Sequence, residues 1–153
     1  MVPPSPTVTN FTEYDQRFMS ELKGLVGNAK VVAYVGRLSH EKGIDLLIES
    51  FRILKDKTKG NIKFVVAGDG ALRDSITKEA RNDSDVLFLE WLSRDKLKCM
   101  YLLADIVVIP SILPEAYPHV ALEALSFGKK VIGFRIGGLL EIAMHACWVL
   151  ELT

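Results

Sequence analysis

Two glutamates, Glu115 and Glu123, stand eight positions apart in PSILPEAYPHVALEALSFGKK, where a proline-bounded loop runs into a helical stretch. Pro118 suits the first position of that helix, because the N–H it lacks is one the helix leaves unpaired anyway. Glu115 then sits in the loop and Glu123 inside the helix, while the amides near His119 and Val120 make an anion site at the helix start. Upstream, Arg37 and Lys42 straddle the turn in GRLSHEKG. An arginine fork beside a compact lysine charge suits a diphosphate and offsets the charge that builds on such a group as it departs. Carboxylates beside an anionic ligand make sense as acceptors for neutral hydroxyls, which sugars carry. Solvated surface cations and an ordinary helical glutamate are the competing readings. Against the second, Ala121, Leu122, Ala124 and Leu125 give Glu123 apolar neighbours on nearly every side.

These residues need elements to position them. Five short β-branched runs, at 31–35, 62–67, 86–89, 106–109 and 130–133, alternate with amphipathic stretches. That alternation predicts an α/β domain, a Rossmann-like parallel sheet with helices on both faces. Ile44, Leu47, Ile48, Phe51 and Leu54 define one crossover helix, 71–82 a weaker second, and Ser93 caps a third with Leu97, Met100, Tyr101 and Ala104 inward. A fourth helix runs from His119 to a stop at Gly128, and a fifth from Gly137 through Met144. Residues 1–30 read as an irregular segment and 31–153 as the domain.

Ligands of open parallel sheets bind at the carboxyl ends of the strands, where strand order reverses. The unusual residues fall there: Gly36-Arg37 after the first strand, Gly68-Asp69-Gly70 after the second, Glu90-Trp91 after the third, and the Glu115 loop after the fourth. With strand order 3-2-1-4-5, Arg37, Lys42, Glu115 and Glu123 are expected to converge. Gly68 and Gly70 read equally as a plain turn or as a place where a ligand nears the backbone; Trp91 either stacks on a base or belongs to the core.

Bulk composition narrows the classes. At 153 residues and 49% hydrophobic content the chain has the size of one domain with a real core. Nineteen basic and nineteen acidic residues cancel, so no global field draws it to nucleic acid or anionic lipid. Cys99, Cys147 and three histidines show no metal-ligand spacing, so no metal site is expected. The start MVPPSPTVTNFTEYD has neither a basic beginning nor an apolar segment, which predicts a cytoplasmic protein.

The blocks VGRLSHEKGIDLLIESF, FVVAGDG, LADIVVIPS and EAYPHVALEALSFGKKVIGFRIGGLLEI occur in order between Val31 and Ala143. On them the chain resembles the C-terminal, donor-binding domain of GT-B retaining glycosyltransferases of the family 4 type, the glycosyl transferases group 1. The resemblance implies transfer of a hexosyl group from a nucleotide-diphosphate sugar with retained anomeric configuration, without a cofactor or obligatory metal. It further implies that Arg37 and Lys42 bind the diphosphate, that Glu115 contacts the donor sugar and that Glu123 contacts the ribose. The acceptor, whether a glycan, a lipid-linked sugar or a small molecule, then belongs to an N-terminal domain or subunit outside these residues, so this chain alone is expected to be inactive. Glu90 stands where the family often has glycine, Ala116-Tyr117-Pro118 replaces a commoner Gly-Phe-Gly, and MHACWVLELT departs from the family's ending, so the domain reads as truncated there. The alternative is a non-catalytic α/β interaction module that has lost nucleotide binding. A flavodoxin-like or response-regulator domain gives no role to Glu115 and Glu123.

Overall fold

The structure, a computed structural model, describes residues 14–59, 61–115, 118–134, 136–139 and 148–150. Its first element corrects the expectation of an irregular 1–30 segment: α1 spans Gln16–Val26. The Asp15 side chain caps it by accepting from the Phe18 amide at 2.9 Å, and Met19, Leu22 and Val26 recur at helical spacing to form its buried stripe.

Six strands follow: β1 (Lys30–Val35), β2 (Ile62–Ala67), β3 (Val86–Phe88), β4 (Ile106–Ile109), β5 (Lys130–Phe134) and β6 (Trp148–Leu150). They form one all-parallel sheet in the order β3-β2-β1-β4-β5-β6. The expected 3-2-1-4-5 order is found, with β6 added beyond β5 in a stretch that had suggested no strand. The helix expected over 137–144 lies for most of its length outside the described residues.

Helices α2 (Ile44–Thr58), α3 (Arg73–Asn82), α4 (Arg94–Leu103) and α5 (His119–Ser126) occupy the predicted places. Successive β1 side chains go to opposite faces. Val32 and Tyr34 pack with Ile44, Leu47 and Phe51 of α2 and Ile76 of α3, whereas Val31 and Ala33 pack with Met100 and Tyr101 of α4 and Ala121 and Ala124 of α5. Burial on both faces is why the strands read as unbroken apolar runs. Crossover α4 carries the chain from edge strand β3 back past β1 to β4, so the order reverses between β1 and β4.

Candidate functional site

At that reversal residues 36–43, after β1, meet residues 110–115, after β4. The Ile112 amide donates to the Glu41 carbonyl at 3.1 Å, and Gly43 packs directly on the Pro110 backbone. The contact brings Lys42 to Glu115: the ammonium donates to Glu115 Oε1, and the buried Ser111 hydroxyl donates to the same oxygen at 2.7 Å. Partial burial pushes the Glu115 carboxyl up, but the bonds from Lys42 and Ser111, with the lysine charge, outweigh it and hold the group below its ordinary 4.5. Ionised Glu115 therefore stabilises the fold at neutral pH, a contribution lost as the pH falls through the folded value. In Lys42→Ala the burial remains and the main opposing partner is gone, so the Glu115 midpoint is expected to move up. An NMR titration of its carboxyl checks this, and an unmoved midpoint would mean that the pair does not exist in solution.

Arg37, on the same loop, is exposed, and among the described residues its guanidinium makes no hydrogen bond or ion pair. Its backbone is fixed from below: the buried Tyr34 hydroxyl donates to the Arg37 carbonyl at 2.7 Å. Burial first, then the charge of Glu115, drives the Tyr34 hydroxyl far above the ordinary tyrosine range, with Arg37 opposing. Both Arg37 and Glu115 are thus within electrostatic reach of one hydroxyl. Ser39, between Arg37 and Lys42, is buried with its hydroxyl unpartnered among the described residues.

The glycines of the next loops serve the protein itself. A Cβ on Gly68 would lie 1.8 Å from the Gly36 carbonyl oxygen, and one on Gly70 would lie 2.5 Å from that of Leu38. The space each leaves is taken by the Arg37 loop, which is thereby seated against the end of β2. Beside it, Glu90 adopts a left-handed conformation (φ 58°), its carbonyl accepts from the Gly68 amide at 2.8 Å, and its carboxylate pairs with Arg73. Trp91 is 77% exposed, so of its two readings the core one falls.

Helix α5 begins at His119 as expected, but Pro118, expected at its first position, is its N-cap, with φ −80° and ψ 83°. The first helical bond runs from the Leu122 amide to the Pro118 carbonyl, so the amides ahead of it, Val120 included, have no acceptor within the helix. Glu123 does not join the Lys42 and Glu115 pair. It lies on the exposed side of α5, and its Oε2 accepts from the Tyr101 hydroxyl of α4 at 2.9 Å. Its neighbours Ala121 and Ala124 are buried in the core and Leu125 packs against it, while Glu123 is exposed. Sequence reasoning gave no site role to Tyr34, Ser111 or Tyr101, each of which bonds to a candidate residue or its backbone.

No described helix is long and apolar enough to cross a membrane. The glycosyl transferases group 1 family matches residues 15–148. An uncharacterized glycosyltransferase of Methanocaldococcus jannaschii is 39% identical over 126 residues, which are 80% of this chain and 31% of that protein. The lipopolysaccharide 1,2-N-acetylglucosaminetransferase of Salmonella typhimurium is 33% identical over 127 residues, 76% of this chain and 33% of that enzyme. Among solved structures, Anabaena HepE in complex with UDP-glucose has the same fold, with a TM-score of 0.73 at 24% identity over 94% of this chain and 41% of that one. The chain spans about a third of the length of these curated relatives.

Proposed function

The chain belongs to the glycosyl transferases group 1 family, and from that premise we propose that it is a donor-binding domain that holds a nucleotide-diphosphate sugar at the β1/β4 reversal. The observation that carries this reading is the joining of Lys42 and Glu115, from loops 73 positions apart, at the one edge where a doubly wound sheet takes ligands. Arg37 and Lys42 bind the diphosphate together with the start of α5, near His119 and Val120. Glu115 accepts from hydroxyls of the donor sugar, Glu123 from those of the ribose, and exposed Trp91 stacks on the base, with Gly36, Gly68 and Gly70 shaping the loops between them.

In this reading the sugar is transferred to an acceptor hydroxyl with its anomeric configuration retained. As the bond between the anomeric carbon and the diphosphate oxygen breaks, charge gathers on the diphosphate. Arg37, Lys42 and the helix-start amides offset it. These groups stand in for a metal ion, so binding is expected to survive EDTA. Lys42 does not wait as a bare cation: Glu115 neutralises and orients it until the diphosphate arrives. The acceptor, a glycan, a lipid-linked sugar or a small molecule, is held by an N-terminal domain or subunit. The names of relatives support the donor class: the Anabaena structure is a complex with UDP-glucose, and the Salmonella relative is an N-acetylglucosaminetransferase.

Thermal unfolding against UDP, GDP and ADP tests the reading, with Arg37→Ala as the control. A nucleotide at about 100 times its dissociation constant stabilises the fold by about 2.7 kcal/mol. One nucleotide is expected to raise the midpoint of the wild type and to raise that of the variant by clearly less. A cooperative wild-type transition that none of the three moves would overturn the donor reading in favour of an interaction module.

A further inference from the structure

Tyr101 presents a buried phenol to an exposed carboxylate. It is 2% exposed, its ring stacks on Phe127 with centroids 5.5 Å apart, and its hydroxyl donates to Glu123 Oε2 at 2.9 Å. Phe127 lies one helical turn beyond Glu123 and is the C-cap of α5. The ring is therefore clamped at the end of α5 while the hydroxyl reaches back to the carboxylate. Burial, and then the charge and hydrogen bond of Glu123, push the hydroxyl far above the ordinary tyrosine range. The polarity of the bond is thus fixed, with the tyrosine hydroxyl as donor and the carboxylate as acceptor.

An exposed glutamate on a helix samples several rotamers, and a ligand that needs one of them must select it. Here one oxygen is already held by a buried side chain stacked on Phe127. The remaining acceptor positions of Glu123 stay at the surface, in the cleft where Arg94, Leu97 and Lys98 of α4 face α5. A carboxylate so held offers a fixed pair of acceptor directions, which fits two adjacent hydroxyls better than one. Vicinal hydroxyls are what the ribose of a nucleoside diphosphate brings.

We propose that Tyr101 is a positioning residue that fixes Glu123 as the acceptor for the two ribose hydroxyls of the bound nucleotide. The proposal rests on the donor-site reading above. It separates Tyr101 from a merely structural aromatic, because a packing role affects every ligand equally whereas a positioning role affects only ligands that carry the hydroxyls.

The test is a calorimetric titration of the wild type, Tyr101→Phe and Glu123→Gln with UDP, GDP and ADP, each beside its dideoxy analogue lacking both ribose hydroxyls. The wild type is expected to prefer the ribose form by about tenfold, the scale of one hydrogen bond to a charged group. Tyr101→Phe keeps the ring stack on Phe127 and is expected to bind the dideoxy form as the wild type does, while its ribose preference falls about threefold or more. Glu123→Gln is expected to lose the preference as well, and adding Tyr101→Phe to it should change nothing further. An unchanged preference in Tyr101→Phe, or an equal loss for both forms, overturns the proposal. A wild type that binds the nucleotide without ribose preference overturns the role of Glu123 while leaving the donor reading standing. A wild type that binds none of the six overturns the donor reading, and this proposal with it.

Discussion

Lys42→Ala is expected to weaken nucleoside-diphosphate binding by about ten- to a hundredfold. Two effects combine. The first is the loss of a charge-assisted bond to the diphosphate, about 1.5 to 3 kcal/mol, which is about tenfold or more in affinity. The second is the state in which the variant leaves Glu115. In the wild type Lys42 and Ser111 both donate to Glu115 Oε1. Without Lys42 that carboxylate stands beside the incoming anion with a hydroxyl as its remaining partner, and like charges repel. The double variant Lys42→Ala with Glu115→Gln removes the repulsion while keeping the first loss. Recovery of part of the affinity is therefore expected, measured by isothermal titration at low ionic strength. Full recovery would reduce Lys42 to a neutraliser of Glu115, and undiminished affinity in the single variant would remove it from the site. Arg37→Ala lacks the second effect, because Arg37 is exposed and pairs with no described carboxylate. Its loss should be smaller and more sensitive to salt.

What the sequence made legible follows from how local each signal is. Strands β1 to β5 could be read because a sheet buried on both faces demands apolar residues at every position, and Val31, Val32 and Ala33 meet that demand without help from distant chain. Lys42 and Glu115 could be read as converging because the strand order alone places their two loops side by side. Glu123 shows the limit of that argument. The strand order suggested that it converges with Glu115, yet helical geometry turns its carboxylate toward α4, where Tyr101 meets it. Tyr101 itself was correctly read as an inward residue, but nothing in an inward tyrosine announces where its hydroxyl finds a partner. The same holds for Tyr34, whose hydroxyl bonds the Arg37 carbonyl. Helix α1 escaped because Arg17, Glu21 and Lys23 intersperse its short apolar stripe, and because the preceding residues are rich in proline. Strand β6 escaped because three residues carry no periodicity.

Gly43→Ala should damage the fold heavily for a small change in composition. Gly43 has a φ of 76°, and a Cβ there would lie 1.9 Å from the Pro110 carbonyl oxygen. Left-handed backbone alone costs about 1 to 2 kcal/mol for alanine. The clash adds to it, because the atom in the way is main chain at the end of β4 and cannot rotate aside; overpacking of this kind costs about 1 to 3 kcal/mol more. Gly128→Ala is the control, since Gly128 has a φ of 70° and nothing within 4 Å of a Cβ. Urea unfolding is expected to show a loss in Gly43→Ala that exceeds the loss in Gly128→Ala by about 1 kcal/mol or more. Equal losses would mean that the two loops are not in contact. The difference also bears on the site. Gly43 follows Lys42 directly, and Pro110 lies five residues before Glu115, so whatever separates Gly43 from Pro110 separates Lys42 from Glu115. The Gly43 variant should accordingly lose nucleotide affinity along with stability, while the Gly128 variant keeps it. A site assembled from two loops is only as well placed as the backbone contact between them, and here that contact requires a residue with no side chain.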